Sequence, residues 1–99
     1  MQKTEQARQL ELLERINAEV SMNITAFDID DAETLYDEEE DSYYLHLHFS
    51  KGRTSCTTTI THDGQLINYS SNIPRILLGS LHNVITRTMN TLRFGELYA

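Results

Sequence analysis

Nine carboxylates fall within residues 20–42, a stretch that contains no lysine or arginine. A field of unneutralised negative charge repels the nucleic-acid backbone and attracts basic protein surfaces. Carboxylates held on a rigid scaffold can occupy the arginine and lysine sites that normally neutralise phosphates. We therefore predict that these nine side chains bind a larger protein with a basic surface: Asp28, Asp30, Asp31, Glu33, Asp37, Glu38, Glu39, Glu40 and Asp41.

His46 and His48 form an H-x-H pair that could ligate one metal ion. A third ligand would have to come from His62, His82 or the acidic stretch, and no C-x-x-C or H-E-x-x-H spacing supports a complete site. We expect no metal here. The prediction is instead that His46 and His48, together with Tyr44, form a contact surface on one face of a strand.

Calcium, cofactor and nucleophile motifs are also weak in this sequence. Asp28 and Asp30 resemble the start of a calcium loop, but Ala32 and Glu33 occupy the positions where that loop needs an oxygen ligand and a glycine. Cys56 is predicted to be buried, and a buried thiol is inert. No dinucleotide or Walker loop is present. We expect a non-catalytic protein without a cofactor, and a small metal-dependent enzyme is the remaining alternative of that class.

Ninety-nine residues with net charge −7 and one cysteine predict a single α+β domain over residues 1–99. Leucine, isoleucine and valine at steps of three and four predict an amphipathic helix over residues 2–20, capped by Thr4: Leu10, Leu13, Ile16 and Val20. Residues 22–30 are predicted to form a strand, and the change of apolar parity at Phe27 and Ile29 indicates a bulge or a strand covered on both faces. Residues 37–42 are predicted to form an exposed acidic turn. Residues 28–36 are compatible with either strand or loop.

Strict alternation over residues 43–49 predicts a strand with one apolar face. A two-residue turn at Lys51-Gly52 would place Phe49 opposite Thr54, and a turn at Asp63-Gly64 would place Ile60 opposite Ile67. Both turns keep the apolar side chains on one face, so we predict an antiparallel meander of three to four strands.

Residues 73–94 predict a long C-terminal helix packed on one face of the sheet, with Asn72 as N-cap and Gly95 as its stop. Its first apolar stripe is Ile73, Leu77, Leu81, Val84 and Thr88. A second stripe either packs within the chain or pairs with a second copy, and we favour a homodimer through it: Leu78, Ile85, Met89 and Leu92. A dimeric structural or chaperone-like subunit, using this helix and the apolar tail at residues 94–98, is the second functional hypothesis.

The order helix, meander, helix resembles the topology of double-stranded RNA-binding domains. That family has a lysine-rich cluster at the start of its last helix. Here Asn72-Ile73-Pro74-Arg75-Ile76 supplies one base, so the charge argues against direct nucleic-acid binding.

The leading hypothesis is an acidic inhibitor of a basic, nucleic-acid-binding partner. Small acidic domains of this size and charge are common among phage and mobile-element proteins that block host defence, such as anti-CRISPR and anti-restriction inhibitors. The first residues lack an apolar signal core and no apolar run is long enough to cross a bilayer, so we expect a cytoplasmic protein that does not interact with membranes.

Overall fold

The structure is a computed structural model that describes the backbone of residues 4–98 and the side chains of residues 4–92. One helix, a four-stranded antiparallel sheet and a second helix follow one another along the chain, which confirms the α+β prediction. The elements are α1 (Glu5–Asn23), β1 (Asp28–Asp37), β2 (Ser42–Lys51), β3 (Thr54–Thr61), β4 (Leu66–Ile67) and α2 (Arg75–Tyr98). The sheet order is β1-β2-β3-β4, a meander in which each strand neighbours the next.

Thr4 caps helix α1 as predicted, because its hydroxyl accepts a hydrogen bond from the backbone N–H of Ala7 at 3.1 Å. The helix therefore begins at Glu5, three residues after the predicted start. Leu13, Ile16 and Val20 are fully buried. Leu10, predicted to share that stripe, is only partly buried, and the buried position in the first turns is Gln9. The Gln9 Oε1 atom accepts the backbone N–H of Tyr43 at 2.9 Å, so this buried amide serves the sheet.

The strand predicted at residues 22–30 was wrong at its start. Helix α1 continues through Met22 to Asn23, and the chain turns back at Ile24, whose N–H donates to the Val20 carbonyl at 2.9 Å. Met22 is 65 % exposed, so its place in the apolar alternation does not correspond to burial. The strand begins at Asp28 and includes the residues for which the sequence left strand or loop open.

The β2–β3 hairpin has the predicted faces with a different register. Lys51 pairs with Thr54, so the two turn residues are Gly52 and Arg53 rather than Lys51 and Gly52. Phe49 consequently lies opposite Cys56, two residues beyond the predicted partner Thr54. A shift of two residues keeps every side chain on its predicted face, since side chains alternate with period two. Gly52 takes a φ of +62°, which favours glycine as the first turn residue.

The β3–β4 connection differs from the prediction by one residue. Ile60 pairs with Leu66 rather than Ile67, because the Thr61 N–H donates to the Gln65 carbonyl at 2.8 Å and closes a loop around Gly64. The one-residue change brings Leu66 against the core. Strand β4 is only two residues long.

Helix α2 departs from the prediction at both ends. Asn72 does not cap the helix, because its Nδ2 atom donates to the Ser55 carbonyl at 2.9 Å. The Pro74 carbonyl accepts the first hydrogen bonds of the helix, from the N–H groups of Leu77 and Leu78. Gly95 does not end it, because the helical backbone continues to Tyr98. The predicted apolar tail at residues 94–98 lies outside the residues whose side chains are described.

Both helices cover one face of the sheet, and the core lies between these two layers. The first stripe of α2 is buried as predicted, and it meets α1 and the inner face of β2 and β3. The fully buried sheet residues are Leu45, Leu47, Phe49, Thr58 and Ile60. In the described part of the chain, neither helix is long and apolar enough to cross a membrane.

Replacing Gln9 with alanine tests its role in ordering the start of β2. The Tyr43 N–H would lose its acceptor in a part-buried position, which is expected to lower the free energy of unfolding by about 1–3 kcal/mol. Chemical denaturation measures this change. Glu14→Ala is the control, because Glu14 is exposed on the same helix and its change should stay within about 0.5 kcal/mol. Equal effects at both positions would contradict the assigned role.

Gly64→Ala and Gly52→Ala test the packing of α2 on the β3–β4 loop. Both glycines have positive φ, so each substitution is expected to cost roughly 1–2 kcal/mol in backbone strain. A Cβ atom at Gly64 would clash with the sulfur of Met89, whereas a Cβ at Gly52 meets nothing within 4 Å. Met89 can relieve part of this clash by changing rotamer, so Gly64→Ala should be more destabilising than Gly52→Ala by about a further 0.5–1.5 kcal/mol in thermal or chemical denaturation. A smaller loss at Gly64 than at Gly52 would show that Met89 does not cover the loop.

Candidate acidic interface

The nine predicted carboxylates occupy one continuous structure, strand β1 and the turn that joins it to β2. Among the described residues, strand β1 forms one edge of the sheet, pairs only with β2, and is exposed at most of its positions. Two of the nine, Asp37 and Asp41, accept hydrogen bonds within the turn. We call the other seven acids the acidic edge: Asp28, Asp30, Asp31, Glu33, Glu38, Glu39 and Glu40.

Pairing between β1 and β2 brings together the two surfaces that the sequence predicted separately. Asp31 lies opposite His48 and Glu33 lies opposite His46, on the sheet face away from the helices. Both histidines are half-buried on that outer face. The predicted contact surface is thus a row of carboxylates beside a row of imidazoles.

A β-bulge at Asp30 concentrates charge at one end of this face. The register between β1 and β2 shifts between Ile29 and Asp31, which leaves Asp30 as the extra residue. The Asp30 carboxylate lies 4.0 Å from Nδ1 of His48. A bulge without a regular partner therefore places a second acid beside the imidazole already opposite Asp31.

Two of the nine acids shape the β1–β2 turn. The Asp37 carboxylate accepts the backbone N–H of Glu39 at 3.0 Å, which is the usual aspartate contribution to a turn. Asp41 has a φ of +49° and accepts a hydrogen bond from the Tyr36 hydroxyl. These contacts hold the turn in a fixed conformation, so Glu38, Glu39 and Glu40 project from an ordered base.

Tyr36 is a residue that the sequence analysis did not single out. Its hydrogen bond to the Asp41 carboxylate raises the pKa of the Tyr36 phenol above its ordinary value, with desolvation and the negative charge of Asp41 adding to the shift. Its ring packs against Tyr43, with centroids 5.0 Å apart. The aromatic pair at the end of the hairpin was detectable only as two tyrosines flanking an acidic run.

Lysine and arginine side chains in the described part of the chain do not neutralise the acids of the interface. Among the residues whose side chains are described, no lysine or arginine lies within salt-bridge distance of any of the nine. Lys51, at the end of β2 near the start of β1, lies over the Phe27 ring at 5.5 Å from its centroid. The negative charge therefore remains available to an external partner.

Cys56, the possible metal ligands and Tyr44 are the other residues that the sequence singled out. Cys56 is buried, and burial raises the pKa of its thiol, as expected for an inert cysteine. Within the described side chains, no group of three or more histidine, cysteine or acidic residues is arranged to hold a metal ion. Tyr44 is half-buried on the outer face opposite Leu35.

The second stripe of α2 is partly covered by its own chain. Ile85 is 3 % exposed, and Met89 lies over Gly64 in the β3–β4 loop. Leu78 and Leu92 are half-buried. Intrachain packing accounts for the centre of the stripe, and a homodimer through the rest of it stays a prediction.

Comparison of the chain with models of known protein families, with curated proteins and with solved structures found no match.

Asp41→Asn tests the hydrogen bond that orders the turn. Asparagine tolerates the left-handed conformation but removes the charge, so the pKa of Tyr36 should fall toward its ordinary value. A pH titration of the Tyr36 ring followed by NMR measures the shift. Glu40→Gln removes one charge from the same turn without touching Tyr36 and should leave the titration nearly unchanged. Equal shifts in both variants would show that only the general field acts on Tyr36.

Proposed function

We propose that this chain is a non-catalytic binding module whose acidic edge occupies a basic, nucleic-acid-binding surface on a larger protein. The supporting observation is that nine carboxylates lie on one ordered hairpin without a lysine or arginine partner among the described residues. An ordered hairpin presents these charges without the entropy cost of arranging a flexible tail. The partner supplies the missing positive charge.

The spacing of carboxylates along β1 determines how closely the strand can imitate the phosphates of a nucleic acid. Ten residues at about 3.3 Å each make a strand of about 33 Å, and five of those residues are acidic. That is roughly one charge per 7 Å, about half the linear density of one strand of B-DNA. The strand can thus fill a subset of the phosphate positions in a basic groove, while Glu38, Glu39 and Glu40 add charge at its end.

Screening by salt follows from the exposure of these groups. At about 0.15 M salt, exposed charges separated by more than about 8 Å are largely screened. Binding through the acidic edge should therefore weaken steeply as salt rises. Duplex DNA, which uses the same positive sites on the partner, should compete with it.

The biological setting that suits such a module is the cytoplasm of a cell whose nucleic-acid-binding machinery it inhibits. Small acidic inhibitors that phages and mobile elements direct at host defence, of the anti-CRISPR or anti-restriction kind, share its size and charge. We propose that class because a compact acidic domain can block a nucleic-acid site sterically and electrostatically without any reaction.

The test is to reverse Glu38, Glu39 and Glu40 to lysine and measure binding to a partner captured from the host's extract. The triple variant should lose at least roughly tenfold in affinity at low salt, because three favourable charge contacts become repulsive. Bound partner should be released by NaCl steps and by duplex DNA.

The matched control reverses Glu5, Glu11 and Glu14 to lysine on exposed positions of α1. Both triple variants change the net charge equally, so the control isolates the position of the charge from its amount. Thermal melting establishes that both variants are folded. Equal losses in the two variants, or binding that neither salt nor DNA reduces, would contradict the proposal.

A further inference from the structure

The two edges of the sheet differ in how their backbone groups are satisfied. On the β3 side, β4 pairs with Thr59 and Ile60. Beyond β4, the Ser70 N–H donates to the Thr57 carbonyl at 3.0 Å, and the Thr57 N–H donates to Ser70 Oγ at 2.9 Å. Together with the Asn72 side chain on the Ser55 carbonyl, these bonds close that edge along its length.

Strand β1 forms the other edge, and no strand lies beyond it in the described part of the chain. In an antiparallel pair, residues alternate between positions that hydrogen-bond to the partner and positions whose N–H and C=O point away from it. The Tyr43 N–H donates to Gln9 rather than to β1. Tyr36 is paired with Tyr43 in the register, so the pair exchanges no hydrogen bonds and the Tyr36 N–H points outward, away from β2. Alternation then directs the N–H and C=O groups of Ala32 and Thr34 outward as well.

A second hydrogen bond at the opposite side of the sheet gives the same alternation. Thr57 donates its N–H to Ser70, away from β2, so its partner His48 directs its N–H toward β1. His48 and Tyr43 are five residues apart on a strand of unbroken register with β3, and their N–H groups therefore point to opposite edges. Ala32, Thr34 and Tyr36 are thus the free pairing positions of β1.

We propose that the free edge of β1 accepts an extended, basic segment of the partner protein as a fifth strand in antiparallel pairing. This proposal rests on the proposed function and specifies how the partner is held. Edge-strand addition uses main-chain hydrogen bonds for affinity and alternate side chains for specificity. Antiparallel pairing is the more stable arrangement per residue.

The side chains of β1 define the sequence pattern of that segment. On the outer face, Asp31 and Glu33 require lysine or arginine beside them. On the helix side, Ala32 and Thr34 are exposed and offer room for small or β-branched apolar residues. The fitting segment therefore alternates basic and apolar residues.

Charge also decides against a second copy of the chain as the occupant. Pairing β1 with β1 of another copy would bring two rows of carboxylates together, and like charges on adjacent strands are destabilising. Charged residues on an edge strand are a recognised means of preventing such self-association. The same carboxylates that exclude a second copy attract a basic strand.

The experiment uses the full chain and a blocked seven-residue peptide that alternates valine and lysine. Bound antiparallel, its valine N–H groups face β1 and its lysine N–H groups face solvent. Two modified peptides carry N-methyl groups on either the valine or the lysine amides, so charge and side chains stay constant. NMR titration at low salt measures affinity and the shifts of the Ala32, Thr34 and Tyr36 amides.

Methylation of the valine amides should weaken binding at least roughly tenfold, because the hydrogen bonds to β1 are lost. Methylation of the lysine amides, which face solvent, should change the affinity by less than about threefold. Equal binding of all three peptides would overturn the fifth strand and leave the acidic-surface proposal standing. Failure of the unmodified peptide to shift the β1 amides would also overturn it. Self-association of the free chain through β1, seen as concentration-dependent shifts, would assign the edge to a second copy instead.

Thr34→Pro and Thr34→Val provide a matched test on the protein side. Proline at position 34 removes an outward N–H and obstructs the edge without removing a bond to β2, as proline is tolerated on edge strands with the N–H facing solvent. Valine keeps the N–H. The proline variant should bind the unmodified peptide at least roughly tenfold more weakly than the valine variant. Equal affinity of two folded variants would contradict pairing at this edge.

Discussion

Every open β-sheet ends in two rows of backbone N–H and C=O groups, and satisfying or protecting those rows constrains this whole domain. Within residues 4–98, the chain closes one row with β4, Ser70 and Asn72, and leaves the other, on the acidic strand β1, without a further strand. The short β4 and the segment leading into α2 both bond to the β3 edge. The acidic composition of β1 prevents unwanted pairing at the edge that remains.

The same arrangement separates stability from function. The core is built from α1, β2, β3 and α2, where Leu13, Leu47 and Leu81 are fully buried. Strand β1 contributes little apolar burial; Leu35 and Tyr36 are 37 % and 41 % exposed. Because β1 is held mainly by its ladder to β2 and by the ordered turn, its side chains are free to be selected for charge. The protein can thus carry a strongly negative strand without burying an unpaired charge.

Sequence patterns predicted the architecture well wherever alternation or helical periodicity was long. The buried face of β2 and the first stripe of α2 were both confirmed, since each spans many repeats. Turn positions were predicted less accurately. A glycine identifies a turn but not which position of the turn it occupies, so the predicted register was wrong by two residues at the Gly52 turn and by one residue at the Gly64 turn. Met22 and Asn23 were misassigned because helix α1 ends through packing of Ile24, which no local signal reveals. The juxtaposition of Asp31 with His48 depends on the bulge at Asp30. The change of apolar parity at Phe27 and Ile29 indicated either a bulge or a strand covered on both faces, but it did not decide between them or give the position of the bulge.

Amide hydrogen exchange along β1 in the free protein tests the central claim most directly. If β1 is paired on one side and open on the other, the Ala32, Thr34 and Tyr36 amides should exchange rapidly, while those of Asp31, Glu33 and Leu35 should be protected by β2. The Thr57 amide, held by Ser70 at the closed edge, should also be protected. Uniform protection along β1 would mean that its edge is already covered, and uniformly rapid exchange would mean that the acidic strand is not part of the sheet.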